Sequence, residues 1–297
     1  MDYLARETQV NLRPLNARIY GIPEDVIEAS IKHFLLADLM VTRAGYFPKA
    51  LGHETRRTSI PEYIMIHCLN GKGWFYVDNY RCMIDKGQVA FVFPGCRHGY
   101  GADSDTPWTV QWIHMNGNHI AGLLQLANIS IDNPVVNVGE RLNLITLFNE
   151  ILTTLQAGYS LHRLINASAC LRQVLSNIAL WVTYSPPVGT NDLNAEQVIN
   201  YMLAHITNQR SLDDFATEAC MSRSHFSRKF HEKTGYAPVD YFIRLKVQKA
   251  CELLETTDMK VGEVSRFLGY GDQYYFSRTF KKIMGVSPKQ YRAAREL

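Results

Sequence analysis

SRSHFSRKFHEKTGYAPVDY, residues 222–241, returns fifty residues further on as DQYYFSRTFKKIMGVSPKQY, residues 272–291. The copies agree without a gap at Phe226/Phe276, Ser227/Ser277, Arg228/Arg278, Phe230/Phe280, Gly235/Gly285, Pro238/Pro288 and Tyr241/Tyr291. Seven identities at one register mark an internal repeat, and a repeat sets the architecture before any weaker signal is read. In each copy two phenylalanines four residues apart give one buried stripe of a helix. Arg223, Ser224, Ser227 and Arg228 are left on the outer side of the first, and Gln273, Tyr274, Ser277 and Arg278 on that of the second.

Working outward, each copy is preceded by a short apolar-striped segment. Residues 211–221 place Leu212, Phe215, Ala216 and Ala219 on one side, with Ser211 as N-cap and Asp213 and Asp214 at the positive end of the helix. A turn at Met221-Ser222 follows, with Ser222 capping the next helix. Before the second copy, Val261, Val264 and Leu268 point inward and Gly269 makes the turn. These are two helix-turn-helix units, at about 211–232 and about 261–283. An Arg-bearing polar face on the second helix of each is what reading a DNA major groove requires. Two solvated helices of an ordinary bundle are the blander reading, and a duplicated pattern ending twice in Gly-x-x-Pro-x-x-Tyr argues against it. Residues 239–256 read as one long helix that would hold both units at a fixed separation, so that they enter successive grooves, about 34 Å apart.

On these residues the segment 193–297 resembles the AraC/XylS family of bacterial transcription regulators, and GYGDQYYFSRTFKKIMGVSPKQYR (269–292) is similar to that family's signature. The resemblance implies base contacts from Ser224, Ser227 and Arg228, and from Gln273, Tyr274, Ser277 and Arg278. It makes Arg223, Lys229, Lys281 and Lys282 phosphate contacts, which position a protein without specifying sequence. Cys220 stands where many members carry glycine.

Charge supports the division. Residues 1–190 carry 15 Lys and Arg against 15 Asp and Glu, whereas residues 222–297 carry 15 against 8. A neutral front and a basic back suit a sensor joined to a phosphate-facing module, whose binding weakens as salt rises. The six cysteines are scattered without Cys-x-x-Cys spacing, which suits buried thiols in a reducing compartment. The first residues lack an apolar signal core, and no apolar run reaches membrane-spanning length. A cytoplasmic protein without membrane contact is expected.

Residues 1–38 read as an arm with a short helix near 24–36. Residues 39–47, 62–69, 73–79, 80–85, 88–93 and 108–115 are short, aromatic and β-branched, with glycines and Pro94-Gly95 between them. Such spacing argues for a small antiparallel barrel or sandwich over 39–137, such as a jelly roll. Helical periodicity follows at 140–156 and 160–184, and paired prolines make 185–192 a linker. The expected fold is thus α+β and two-domain. A cupin-like β-barrel and two helices (138–184) precede an all-α domain whose two helix-turn-helix motifs are joined by a long helix.

Residues 70–101 resemble the cupin-type sensor of sugar-responsive AraC relatives. A metal cupin needs a His-x-His pair, a Glu and a further His; here His98 fills the last place, Ile64 stands at the Glu position and His53 has no partner two residues away. No metal, cofactor or catalytic residue is expected, and His67 reads as a packing residue. The resemblance implies an effector pocket of Arg56, Tyr100 and Trp112 with Trp108 nearby, and His53 and His98 as further candidates. Tyr and Trp faces with an Arg suit a sugar. The alternative is that both tryptophans are core and Arg56 is a surface charge. Val110 stands where the arabinose-type pattern has a His, which speaks against arabinose itself. The whole reads as an effector-responsive DNA-binding regulator, an activator of carbohydrate-utilisation genes that binds double-stranded DNA, RNA polymerase and a second copy of itself. A non-sugar effector (an aromatic or fatty acid) and a metal-dependent cupin enzyme fused to a DNA-binding tail are the rivals.

Overall fold

The computed structural model describes Pro14 and residues 16–184 and 192–293. They fall into two compact units, one within residues 1–189 and the other within 190–297. The expected linker, save Asp192, and the start of the arm lie outside the described residues.

The first unit runs β1 (Arg18–Gly21), α1 (Glu24–Ser30), β2 (Met40–Phe47), β3 (Glu54–Arg57), β4 (Tyr63–Asn70), β5 (Lys72–Val77) and β6 (Tyr80–Asp85). It continues with β7 (Gln88–Val92), β8 (His98–Ala102), β9 (Thr109–Asn116), α2 (Ile120–Leu126), β10 (Val135–Asn137), α3 (Leu142–Gln156) and α4 (Leu161–Tyr184). Two antiparallel sheets result, in the orders β1-β2-β9-β4-β7-β10 and β3-β8-β5-β6. The larger sheet is covered on both faces. Ile64, Ile66, Val110 and Trp112 meet Phe75, Val77 and Ile84 of the smaller sheet. On the other face Met65, Phe91, Ile113 and Met115 join a cluster with Phe148 and Leu152 of α3 and Leu171 and Val174 of α4. Double coverage explains why β4 and β9 are dense in apolar residues on both faces, interrupted by His67, Gln111 and His114, instead of alternating. His67 lies on the helix side, near Phe148, with its Nδ1 2.9 Å from Gln111 Nε2. Burial pushes its imidazole down to about 4, so it stays neutral and accepts the amide proton.

The expected helix at 24–36 is shorter. α1 stops at Ser30, and His33 N–H donates to Ser30 O and Leu36 N–H to His33 O in successive tight turns. Strands β1, β3, β8 and β10 and helix α2 were not foreseen.

The second unit is helical: α5 (Ala195–Ala204), α6 (Leu212–Glu218), α7 (Arg223–Thr234), α8 (Pro238–Thr256), α9 (Val261–Phe267), α10 (Gln273–Met284) and α11 (Pro288–Ala293). Ser211 and Asp214 close a reciprocal capping box on α6. Ser222 sits at the N-cap of α7 but its side chain bonds no backbone N–H, whereas Asp272 caps α10 through Tyr274 N at 2.8 Å. The repeat has one structural cause in both copies. Gly235 and Gly285, at φ 75° and 80°, end α7 and α10 in the left-handed region where a side chain is strained. Pro238 and Pro288 then start α8 and α11. Tyr241 and Tyr291 fold back edge-on to Phe230 and Phe280, at 5.4 and 5.6 Å. Among the described residues no helix is long and apolar enough to cross a membrane.

Candidate DNA interface and effector site

α7 and α10 are each the second helix of a helix-turn-helix. α6 and α9 end in matching turns: Met221 N–H donates to Ala216 O, and Tyr270 N–H to Ser265 O. Cys220 holds φ 52° in the first turn and Gly269 φ 76° in the second, so glycine suits this place because the chain there is left-handed. Phe226, Phe230, Phe276 and Phe280 are fully buried and fix the roll of both helices.

That roll decides which side chains face out. Arg223, Ser224, Ser227 and Arg228 line one open hollow with Leu212, His231 and Ala237. Arg223 also pairs with Asp213 at 2.9 Å, an exposed ion pair. Lys229 is absent from the hollow's lining, pairing with Asp192 at 3.5 Å and Glu232 at 3.9 Å. On α10, Gln273, Tyr274, Arg278, Lys281 and Lys282 are exposed and Ser277 half-buried; Tyr274 is 78% exposed, which is costly for an aromatic ring facing water. Val261, expected inward, is half-buried at the edge of the second core.

Within the second unit, Lys246 of α8 ties the two helix-turn-helix motifs together. The residue is 5% exposed, and its ammonium donates to Asn208 O at 2.8 Å, ahead of α6, and to Leu268 O at 2.6 Å, at the end of α9. It also lies over the rings of Phe242 and Tyr270, at 4.9 and 5.3 Å. A buried lysine on the connecting helix had no sequence signal, since it reads as one more solvated charge.

In the first unit Trp112, Phe47, His53, Tyr100 and His98 form a connected chain of rings between the sheets. Trp112 and Phe47 are 5.7 Å apart, Phe47 and His53 4.8 Å, His53 and Tyr100 6.0 Å, and Tyr100 and His98 6.3 Å. Gly45 is required beneath Trp112, because a Cβ there would sit 2.3 Å from its ring. Burial, with Arg57's charge, pushes His53 down to about 4, and burial also lowers His98 and His114. Glu62 accepts from His114 at 3.0 Å; burial raises its carboxyl, but His114, Thr42 and Arg43 together outweigh that and hold it below the usual range.

Arg56 does not join this group. Its side chain is 60% exposed, pairs with Glu54 at 2.5 Å and stacks on Trp74. β3 alternates, so Thr55 and Arg57 turn inward while Glu54 and Arg56 turn out. The arginine whose charge reaches the interior is therefore Arg57, one residue along. Trp108 is fully buried over Gly73 as a core ring. Arg43 joins the interior, its guanidinium 5.7 Å from the Trp112 ring. Alternation along β2 from Phe47 back through Gly45 could have signalled it. No group of three or more His, Cys, Asp or Glu among the described residues is placed to hold a metal ion.

Comparison with known proteins agrees with both halves. The family model described as an AraC-like ligand binding domain matches residues 41–179, and a helix-turn-helix domain model matches residues 215–294. The MmsAB operon regulatory protein of Pseudomonas aeruginosa is 31% identical, over 98% of this chain and 97% of that protein. The arabinose operon regulatory protein of Salmonella typhimurium is 26% identical, over 79% and 84%. Among solved structures, the DNA-binding domain of AdpA in complex with a target DNA is 38% identical with a TM-score of 0.33, covering 35% of this chain and 93% of that one. Both the Pseudomonas and the Salmonella relative are named as operon regulatory proteins. With an AraC-like sensor ahead of a duplicated helix-turn-helix, and a relative aligned along almost its whole length, the chain belongs to the AraC family of DNA-binding transcriptional regulators.

Proposed function

We propose that this regulator places α7 and α10 in successive major grooves on one face of its operator, and that a small hydroxylated effector bound between the two sheets controls that placement. The observation that carries the reading is the pair of outward polar helix faces, each with an arginine at the same repeat position, Arg228 and Arg278. Both helix-turn-helix motifs are anchored to one connecting helix through Lys246, which suits a fixed separation matched to one helical turn. Base reading falls to Ser224, Ser227, Arg228, Gln273, Tyr274, Ser277 and Arg278, and phosphate binding to Arg223, Lys281 and Lys282. Lys229 contributes less because its ammonium is engaged by carboxylates.

The effector site is the interior around Trp112, Tyr100, His53 and His98. Aromatic walls with polar atoms between them are the ordinary make-up of a site for a hydroxylated small molecule, the sugar class included. The protein acts as a homodimer that recruits RNA polymerase to genes of carbohydrate or related small-molecule use. Ligand acts by binding one arrangement of the chain more tightly than another.

Selection of bound duplexes from a random pool tests this reading. It predicts a bipartite site with two motifs about 10–10.5 base pairs apart. Enrichment of a single short motif, or of none, would count against it.

A further inference from the structure

Among the polar atoms in the interior of the first unit that are buried and find no hydrogen-bond partner, three lie along this chain of rings, His53 Nδ1, His98 Nε2 and Trp112 Nε1, while Trp108 Nε1 lies apart, on the ring over Gly73. The residues of the three are 6%, 0% and 8% exposed. Unpaired polar groups in such a place cost stability unless something bonds them. The hydrogen-bond roles of two of them can be assigned. Trp112 Nε1 can only donate. His98 Nδ1 lies 3.0 Å from Cys96 O, which can only accept, so the proton is on Nδ1 and Nε2 of the neutral ring is an acceptor.

The charges around these atoms are unequal. Arg43 lies beside Trp112, and the charge of Arg57 acts on His53, His98 and His114. The carboxylates acting on these groups are Glu62, which His114 already engages at 3.0 Å and which the charge of Arg43 also reaches, and Asp78, whose charge acts on His98. The interior therefore offers a guanidinium and an N–H donor side by side, and a hydroxyl acceptor along the same ring chain.

Given the effector site proposed above, the geometry points to an effector that is a small hydroxylated carboxylate, such as a sugar acid or short hydroxy acid, and not a neutral sugar. Its carboxylate sits between Arg43 and Trp112 Nε1, and a hydroxyl donates to His98 Nε2. The charged guanidinium bonds a carboxylate more strongly than it bonds the hydroxyls of a neutral polyol.

Matched pairs test this on the full-length protein: glucuronate against glucose, gluconate against sorbitol, and glycerate against glycerol, by calorimetric titration. The acid of at least one pair binds and its neutral partner does not. Arg43→Gln then weakens the acid about tenfold or more, and Arg43→Lys restores part of the loss. Trp112→Phe, which keeps a ring but removes the donor, weakens the acid without creating neutral binding. The unliganded melting temperature of each variant checks that it is folded. Equal binding of acid and neutral partner, an acid indifferent to Arg43→Gln, or no binding by any acid would overturn the inference. A neutral polyol that binds and alters operator affinity would leave the effector site standing and remove only the carboxylate.

Discussion

Lys246→Met removes one ammonium while keeping most of the apolar stem, and it isolates the tie between the two helix-turn-helix units. Two bonds from a charged donor are lost, to Leu268 O at 2.6 Å and Asn208 O at 2.8 Å, each worth about 1.5–3 kcal/mol. Against that stands the penalty of burying the charge. Burial pushes the amine down to about 8 from 10.5, equivalent to about 3 kcal/mol that the substitution returns. The difference, with the buried Leu268 carbonyl left without a donor, is a net loss of about 1–6 kcal/mol in the second unit. The four tryptophans, Trp74, Trp108, Trp112 and Trp181, all lie before residue 190, so their fluorescence reports the first unit only. Amide hydrogen exchange along α9 and α10 reports the second. The variant should exchange faster there, leave tryptophan unfolding unchanged, and tolerate an operator with one base pair added between half-sites better than the parent does. Exchange within about 0.5 kcal/mol of the parent, with spacing preference intact, would refute the idea that this buried lysine sets the separation.

Acid should weaken the first unit selectively. His53 and His67 are held near 4 in the fold against 6.5 when unfolded, so below 6.5 the unfolded chain takes up protons that the folded chain refuses. Stability is full above pH 6.5 and falls as pH drops toward 4. By pH 5 each of these two imidazoles withdraws about 2 kcal/mol, and His67→Gln should make the tryptophan-monitored slope shallower, with the lowered His53, His98 and His114 keeping the remainder. Arg228→Ala and Arg278→Ala should each cost specific binding about 1–3 kcal/mol and relax sequence preference at one position. Uniform loss on every sequence would make them phosphate contacts. Cys220→Gly relieves a side chain held at φ 52° and should raise the stability of the second unit by about 1 kcal/mol in a helix-signal melt; a decrease would show that the thiol packs usefully.

The second unit was legible because its duplication repeats one mechanical solution. Phe226 and Phe230 recur as Phe276 and Phe280, and Gly-x-x-Pro-x-x-Tyr states a helix end, a helix start and an aromatic return in a single string. The central strands were legible for a related reason: β4 and β9 are buried on both faces and carry dense apolar runs. β3 and β8 were not, since Glu-Thr-Arg-Arg and His-Gly-Tyr-Gly-Ala have little strand character of their own. Gly99 and Gly101 are there because Tyr76 and Trp74 lie over them, a cause that exists only once the sheet has formed. Missing β3 also hid its alternation, and with a period of two a one-residue difference separates the exposed Arg56 from the inward Arg57. Ser222 illustrates a smaller limit: its place at a helix start was readable, but the absence of a side-chain capping bond was not. Lys246 lay beyond reach because its partners are backbone carbonyls 38 and 22 residues away.

The most direct test of the account is hydroxyl-radical footprinting of the full-length protein on a selected duplex, with and without a bound effector. The account predicts two protected patches about one helical turn apart on one face of the DNA, their spacing or strength altered by effector. A single patch, or two whose pattern no effector changes, would contradict it.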